Sequence, residues 1–300
     1  MNKQLKGSIL LLIATIIWGS AFLSQDIAME YMGPFTFQAV RCFLAVCALL
    51  PVIFTVDCIS GKGRDFFRRW ADAKLWKAGI LCGIPLFLAC NLQQMGLVDV
   101  ATDPGKSGFL TAMYIVIVPV IGVFLKKRPT VLLPISVALA VVGLYFISFA
   151  GVARISIGDL LTIGCAFAFA IQIIFVDRFA PGLDALRLNT IQGLVCCVLS
   201  ACVMAFTEHP SWSGIVVCTP YLAHVGILSM GVAYALQIIG QKNIEPAAAS
   251  LIMSLESVFA LVFGVLILHE PMTPWKVIGC SLMFFAIILS QIPVKQKATA

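Results

Sequence analysis

A chain of 300 residues that is 61% hydrophobic and 11% charged, with a mean hydropathy of +1.03, lies far from the soluble norm of roughly 25% charged residues and requires lipid. Its net charge of +6 does not point to nucleic acid, because the basic residues stand in short segments between apolar runs, where they act as topology signals. The eleven cysteines sit mostly within apolar runs, with no CxxC and no histidine at ligand spacing, which argues against a disulfide framework and a zinc site.

About 20 apolar residues let a helix cross a hydrocarbon layer ~30 Å thick, and ten such runs follow one another. Gly7 to Ser24, preceded by Lys3 and Lys6, is too long for a signal peptide and is taken as the first span. Span two is 35–56, and the polar stretch 57–74 with Arg64, Arg68 and Arg69 follows it. Spans three to five cover 75–98, 105–125 and 131–150, and spans six to eight cover 158–179, 188–206 and 220–241. The last two, 247–268 and 273–292, flank His269-Glu270-Pro271-Met272. With the N-terminus inside, sixteen of the 20 Lys and Arg residues fall on the inner side. Only Lys106, Arg154 and Lys276 fall outside, and Arg41 lies within span two. This asymmetry predicts that both termini are cytoplasmic, with Lys3, Lys62, Arg128 and Lys297 inside and His209 and Glu270 outside.

The two halves are related. A shift of 142 sets Asp103-Pro104 on Glu245-Pro246, Gly122-Val123 on Gly264-Val265 and Pro129 on Pro271. A shift of 151 sets Gly7 on Gly158, Gln38 on Asn189 and Arg41 on Gln192. Five spans per half, an odd number, turn the second copy upside down. The expected architecture is an all-α polytopic membrane protein with ten transmembrane helices in two inverted five-helix repeats, residues 1–150 and 151–300. Inverted repeats imply a site near the midplane and alternation by rocking one half against the other.

An ionisable residue near the centre of a spanning helix costs on the order of 2.5–3.5 kcal/mol and marks a cavity or a proton path by default. Glu256 in span nine and Arg41 in span two are such residues. Gln38 and Arg41 share a helix face at i, i+3, as do Asn189 with Gln192 and Asn91 with Gln94. Ser107, Thr111 and Tyr114 form a stripe in span four, and Tyr234, Gln237 and Gln241 form one in span eight. Amides and hydroxyls also join spanning helices, for about 0.6 kcal/mol each. That role is expected for Ser107, Thr111 and Asn189, whereas Arg41 and Glu256 are expected at a site; whether these two pair directly is open. Gly79 and Gly83 form a GxxxG packing pair, and Pro85 and Pro119 are expected to kink their helices, with Pro119 also a candidate hinge.

Several motifs stand in the order found in a known family: Trp18-Gly19-Ser20-Ala21-Phe22, Arg41 followed by Phe43, Gly108 to Tyr114, Tyr234-Ala235-Leu236-Gln237, Gln241-Lys242, Ser254-Leu255-Glu256 and Glu270-Pro271-Met272-Thr273. Over nearly its whole length the chain resembles the drug/metabolite transporter superfamily, specifically its ten-span EamA-type carriers. One departure is Ser257, where those carriers usually place a proline that kinks span nine. The resemblance implies a secondary carrier in a bacterial inner membrane that exports small polar metabolites, amino acids or related compounds, by proton exchange and alternating access. An uptake carrier for a nucleoside, a vitamin or another metabolite is the alternative. The substrate-binding or coupling candidates are Arg41, Glu256, Trp18, Gln38, Asn91, Gln94, Tyr114, Gln192, Tyr234 and Gln237.

A membrane-embedded enzyme is a remoter alternative, because His209, His224 and His269 lie near span ends and no nucleophile with a base or paired acids assembles. No catalytic residue, metal or cofactor is expected. No phosphate-cradling glycine loop marks a pump, and no pore-like ring marks a channel. The expected partners are the bilayer, a small solute and, as a candidate coupling ion, protons, without nucleic acid; a monomer and a homodimer are both open.

Overall fold

The structure is a computed structural model that describes residues 2–98, 104–126, 132–148, 156–269, 272–290 and 292. Arg128, Glu270 and Lys297 of the topology expectation, and Asp103, Pro129 and Pro271 of the repeat, lie outside the described residues. Among those described, all regular structure is helical. Eight stretches are long and apolar enough to cross a membrane, and two shorter apolar helices, α6 (Leu132–Ser148) and α14 (Pro274–Ser290), accompany them.

Five of the eight are single continuous helices: α1 (Lys3–Met29), α2 (Pro34–Ile59), α3 (Ala73–Val98), α7 (Ile157–Phe179) and α8 (Ala185–Thr207). Proline at the first turn starts α2, where its missing N–H leaves nothing unsatisfied. A capping box of Ser156 and Asp159 starts α7 (Ile157–Phe179). The Asp184 carboxylate, accepting from the Leu186 and Arg187 amides at 3.1 and 3.2 Å, starts α8 (Ala185–Thr207). The short α9 (Trp212–Val217) then leads to α10 (Thr219–Ala223), which passes through a π segment, His224–Ala233, into α11 (Tyr234–Gln241). The wide turns of a π segment interrupt α periodicity and recur at functional sites.

Two further stretches are broken at matching places. α4 (Pro104–Ala112) gives way to α5 (Tyr114–Phe124) at Met113, and α12 (Pro246–Met253) gives way to α13 (Glu256–Leu268) at Ser254 and Leu255. Neither break contains glycine or proline. Tight i→i+3 bonds close both instead, from the Met113 amide to Leu110 O at 3.2 Å and from the Leu255 amide to Ile252 O at 3.1 Å. The interruption before Glu256 therefore forms without a proline at 257. The Ser257 hydroxyl donates to Gly108 O at 3.2 Å and ties α13 to α4.

Small residues set the closest approaches. Gly79 and Gly83 face Ile191 and Val195 of α8, and a Cβ on Gly83 would stand 2.7 Å from Val195 Cβ. At the centre α2 and α8 lie antiparallel, as their two ends reveal. At one end the Glu208 carboxylate accepts from the Phe35 and Thr36 amides at 2.9 and 2.8 Å and from the Thr36 hydroxyl at 2.6 Å, an anion seated on a helix N-terminus. At the other end Arg187, 1% exposed, donates to Asp57 and, at 2.9 Å, to Asp184. Arg69 binds the same two carboxylates. The Phe66 and Trp70 rings lie 5.5 and 5.3 Å from the Arg187 guanidinium carbon.

Candidate functional site

A cavity of about 490 Å3 opens where α1, α2, α3, α5, α7, α11 and α13 converge on the π segment. Its polar wall is made by Trp18 and Gln25 from α1, Arg41 from α2, Gln93 from α3, Tyr114 from α5, Ser229 from the π segment, Tyr234 and Gln237 from α11, and Glu256 from α13. Phe22, Phe169, Ile173 and Met253 complete it with apolar surface. Apolar and aromatic surface with convergent polar groups is what a small-molecule site requires.

Arg41 is 3% exposed, and its Nη1 donates to Gln25 Oε1 at 2.9 Å. The guanidinium sits 5.3 Å from the Phe37 ring centroid, while Nε has no partner. Glu256 accepts from the Tyr114 hydroxyl at 3.2 Å. Arg41 and Glu256 line the same cavity but form no ion pair. The Trp18 ring meets Tyr234 edge-on at 5.0 Å, and its indole Nε1 has no partner. Gln237 Nε2 donates to Gln172 Oε1 at 3.0 Å, leaving Gln237 Oε1 unpartnered.

Of the sequence candidates, Arg41, Glu256, Trp18, Tyr114, Tyr234 and Gln237 meet at this cavity, and four do not line it. Gln38 donates to the Cys42 and Cys196 thiols at 3.2 and 3.0 Å. Asn91 donates to Phe87 O and the Ser200 hydroxyl at 2.8 and 3.0 Å. Gln94 is fully buried, with both amide atoms lacking a partner. Gln192 donates to Asn189 Oδ1 at 2.8 Å. The wall residues absent from the sequence candidates are Gln25, Gln93 and Ser229 together with the apolar ones. Gln25 carried a signal: it lies seven positions after Trp18 on the same helical face, but beyond Ser24, where the expected span ended.

His224 is held on α1, Nε2 3.1 Å from the Ser20 hydroxyl and Nδ1 2.9 Å from that of Ser24. Among the described residues no group of His, Cys, Asp or Glu could hold a metal ion.

An all-helical chain with eight membrane-length stretches around a buried, polar-walled cavity is a multi-pass membrane protein of the helical solute-handling kind. The model of the EamA-like transporter family matches it at residues 5–149 and 156–291. The chain belongs to that family, within the drug/metabolite transporter superfamily. An uncharacterised transporter of Archaeoglobus fulgidus is 32% identical over 295 residues, covering 97% of this chain and 88% of the relative. The uncharacterised transporter YoaV of Bacillus subtilis is 23% identical over 287 residues, covering 92% and 93%. A crystal structure with 15% sequence identity superposes with a TM-score of 0.78 over 95% of this chain and 96% of that one, a likeness of fold.

Proposed function

We propose that the protein is a secondary carrier for small zwitterionic or similarly two-ended polar metabolites, amino acids foremost, that exports them across a bacterial inner membrane in exchange for protons. One observation carries the substrate class: the cavity is polarised between the halves of the chain. The cavity nitrogens without a partner, Trp18 Nε1 and Arg41 Nε, belong to the first half, while the unpartnered cavity oxygen Gln237 Oε1 belongs to the second. A solute with a carboxylate at one end and an ammonium at the other answers both sides. Because Arg41 does not neutralise Glu256, the carboxyl is the group proposed to take up and give up the exchanged proton as the cavity opens to alternate sides.

The working architecture is ten spans in two inverted repeats, 1–150 and 151–300, with both termini in the cytoplasm. Supporting it, the packing partners interchange when the halves are swapped. α3 against α7 answers α1 against α11 and the π segment, α3 against α8 answers α2 against the π segment, and α4 with α5 against α7 answers α1 against α12 and α13. The pairs α2 with α8 and α6 with α14 map onto themselves. The broken helices correspond as well, since Tyr114 and Glu256, 142 positions apart, each begin the segment after the break. Such symmetry suits alternation by rocking.

Counterflow in proteoliposomes tests the function. Vesicles loaded with each of the twenty L-amino acids should accumulate the same labelled compound from outside, saturably, and an imposed pH gradient should drive net flux. Exchange of uridine or pyridoxine alone would replace the amino-acid reading with the nucleoside or vitamin one. Non-saturable flux without counterflow would sink the carrier altogether.

A further inference from the structure

We infer that Gln237 is a hydrogen-bond acceptor of fixed orientation, so that the cavity selects solutes presenting an N–H or O–H donor at that point. The inference rests on the reading of the cavity as the solute site and deepens it.

The orientation is set far from the cavity. Asn189 on α8 donates from Nδ2 to two backbone carbonyls of the π segment, Met230 O at 3.1 Å and Gly231 O at 2.9 Å. A carbonyl oxygen can only accept, so the Asn189 nitrogen must face the π segment and its Oδ1 must face away. That oxygen accepts from Gln192 Nε2 at 2.8 Å. Gln192 therefore presents Oε1 on its other side, where it accepts from Gln172 Nε2 at 3.4 Å. Gln172 in turn presents Oε1, which accepts from Gln237 Nε2 at 3.0 Å.

Reversing any one of these amides would set donor against donor or acceptor against acceptor, so the chain has one polarity, anchored by main-chain atoms. Its last atom is Gln237 Oε1. Gln237 is 2% exposed and lines the cavity, and that oxygen has no partner. A buried acceptor left unsatisfied is costly, and a solute that donates to it relieves the cost, whereas an analogue without the donor is rejected.

The chain assigns roles to residues outside the wall. Gln172, Gln192 and Asn189 are positioning residues that keep the Gln237 nitrogen turned away from the solute. The repeat mates Gln38 and Arg41 of Asn189 and Gln192 take no part, so this device belongs to the second half.

The test uses purified full-length protein in detergent and two probe pairs: L-leucine against its N,N,N-trimethyl betaine, and uridine against 3-methyluridine. Each pair differs by removal of N–H donors, and thermal-shift titration gives an apparent affinity for each compound. Wild type should favour the N–H member of whichever pair it recognises by on the order of tenfold or more. Gln237→Leu should lower that ratio on the order of tenfold, since added methyl bulk acts alike in both proteins and only the contribution of the donor is lost. Asn189→Leu, which leaves Gln237 in place but removes its anchor, should also lower the ratio several-fold. A packing role for Asn189 would lower the melting temperature and leave the ratio unchanged, which would overturn the fixed orientation. Clear binding with the same ratio in wild type and Gln237→Leu overturns the inference while the solute cavity stands. Absence of any shift in wild type overturns the solute reading and the inference with it.

Discussion

Among the described residues two guanidinium groups are buried, and they are treated in opposite ways. Arg187 has two carboxylates, Asp57 and Asp184, and two aromatic rings around it. Arg41 has a single amide oxygen and one ring and no carboxylate, while Nε is without a partner in both residues. Both are almost fully enclosed, at 1% and 3% exposure. Burial alone therefore does not tell the two apart; the presence or absence of a carboxylate partner does. The acids repeat the contrast: Asp57 is shared by two arginines, whereas Glu256 accepts one hydrogen bond from a tyrosine. One end of the α2–α8 pair joins two guanidinium groups to two carboxylates, whereas Arg41 and Glu256 in the cavity have no charged partner, a role that the proposed function gives to the solute.

The largest effect separating the two should come from Arg187→Leu. Removing one member of a buried charge cluster leaves the buried Asp57 with the partly exposed Arg69 as its one remaining cation, and a stability loss of up to about 3–5 kcal/mol is expected. It should appear as a large drop in the detergent melting temperature of substrate-free protein. An unchanged melting temperature would erase the distinction between the two arginines. Arg41→Leu should do the reverse, lowering counterflow on the order of 10- to 100-fold, the size of a charge-assisted hydrogen bond of about 1.5–3 kcal/mol. Its melting temperature should stay level or rise, because an unpaired charge has been removed.

Glu256→Gln keeps the shape of the side chain and an acceptor for Tyr114. It should abolish transport driven by a pH gradient while sparing counterflow. Loss of both would make Glu256 a solute ligand, and unaltered driven transport would return it to packing. The smallest effect should come from Glu208→Gln at the opposite end of the α2–α8 pair. There a carboxylate rests on N–H groups at a helix start, and about 1–2 kcal/mol of stability is at stake, read from the same melting measurement.

The helices were legible because apolar runs of spanning length leave few alternatives, and Arg41 and Glu256 were legible because a charge inside such a run has few structural uses. The faces were harder to read. Asn91, Gln93 and Gln94 are all polar, and spacing singled out the pair 91 and 94, whereas 93 lines the cavity. Ser229 escaped because a π segment does not keep the 3.6-residue period on which such stripes depend. Arg69 and Arg187 counted only toward orientation, since their partners come from elements distant in the chain. Phe22, Phe169, Ile173 and Met253 look like any core residue until the fold surrounds a space with them. The breaks at Met113 and Ser254 carry no glycine or proline, so no breaker residue announced them.

In the proposed two-repeat architecture, the hydrogen bond between Tyr114 and Glu256 joins equivalent positions, 142 residues apart. In an ancestor assembled from two identical chains, a residue at that place would have faced its own copy. Two glutamates there would repel one another when ionised, and two tyrosines would offer no carboxyl group to carry a proton. Joining the copies in one chain frees the two positions to differ, one becoming the donor and the other the acid. On the proposed two-repeat architecture, the Tyr114–Glu256 couple is an asymmetry beyond the reach of a symmetric dimer.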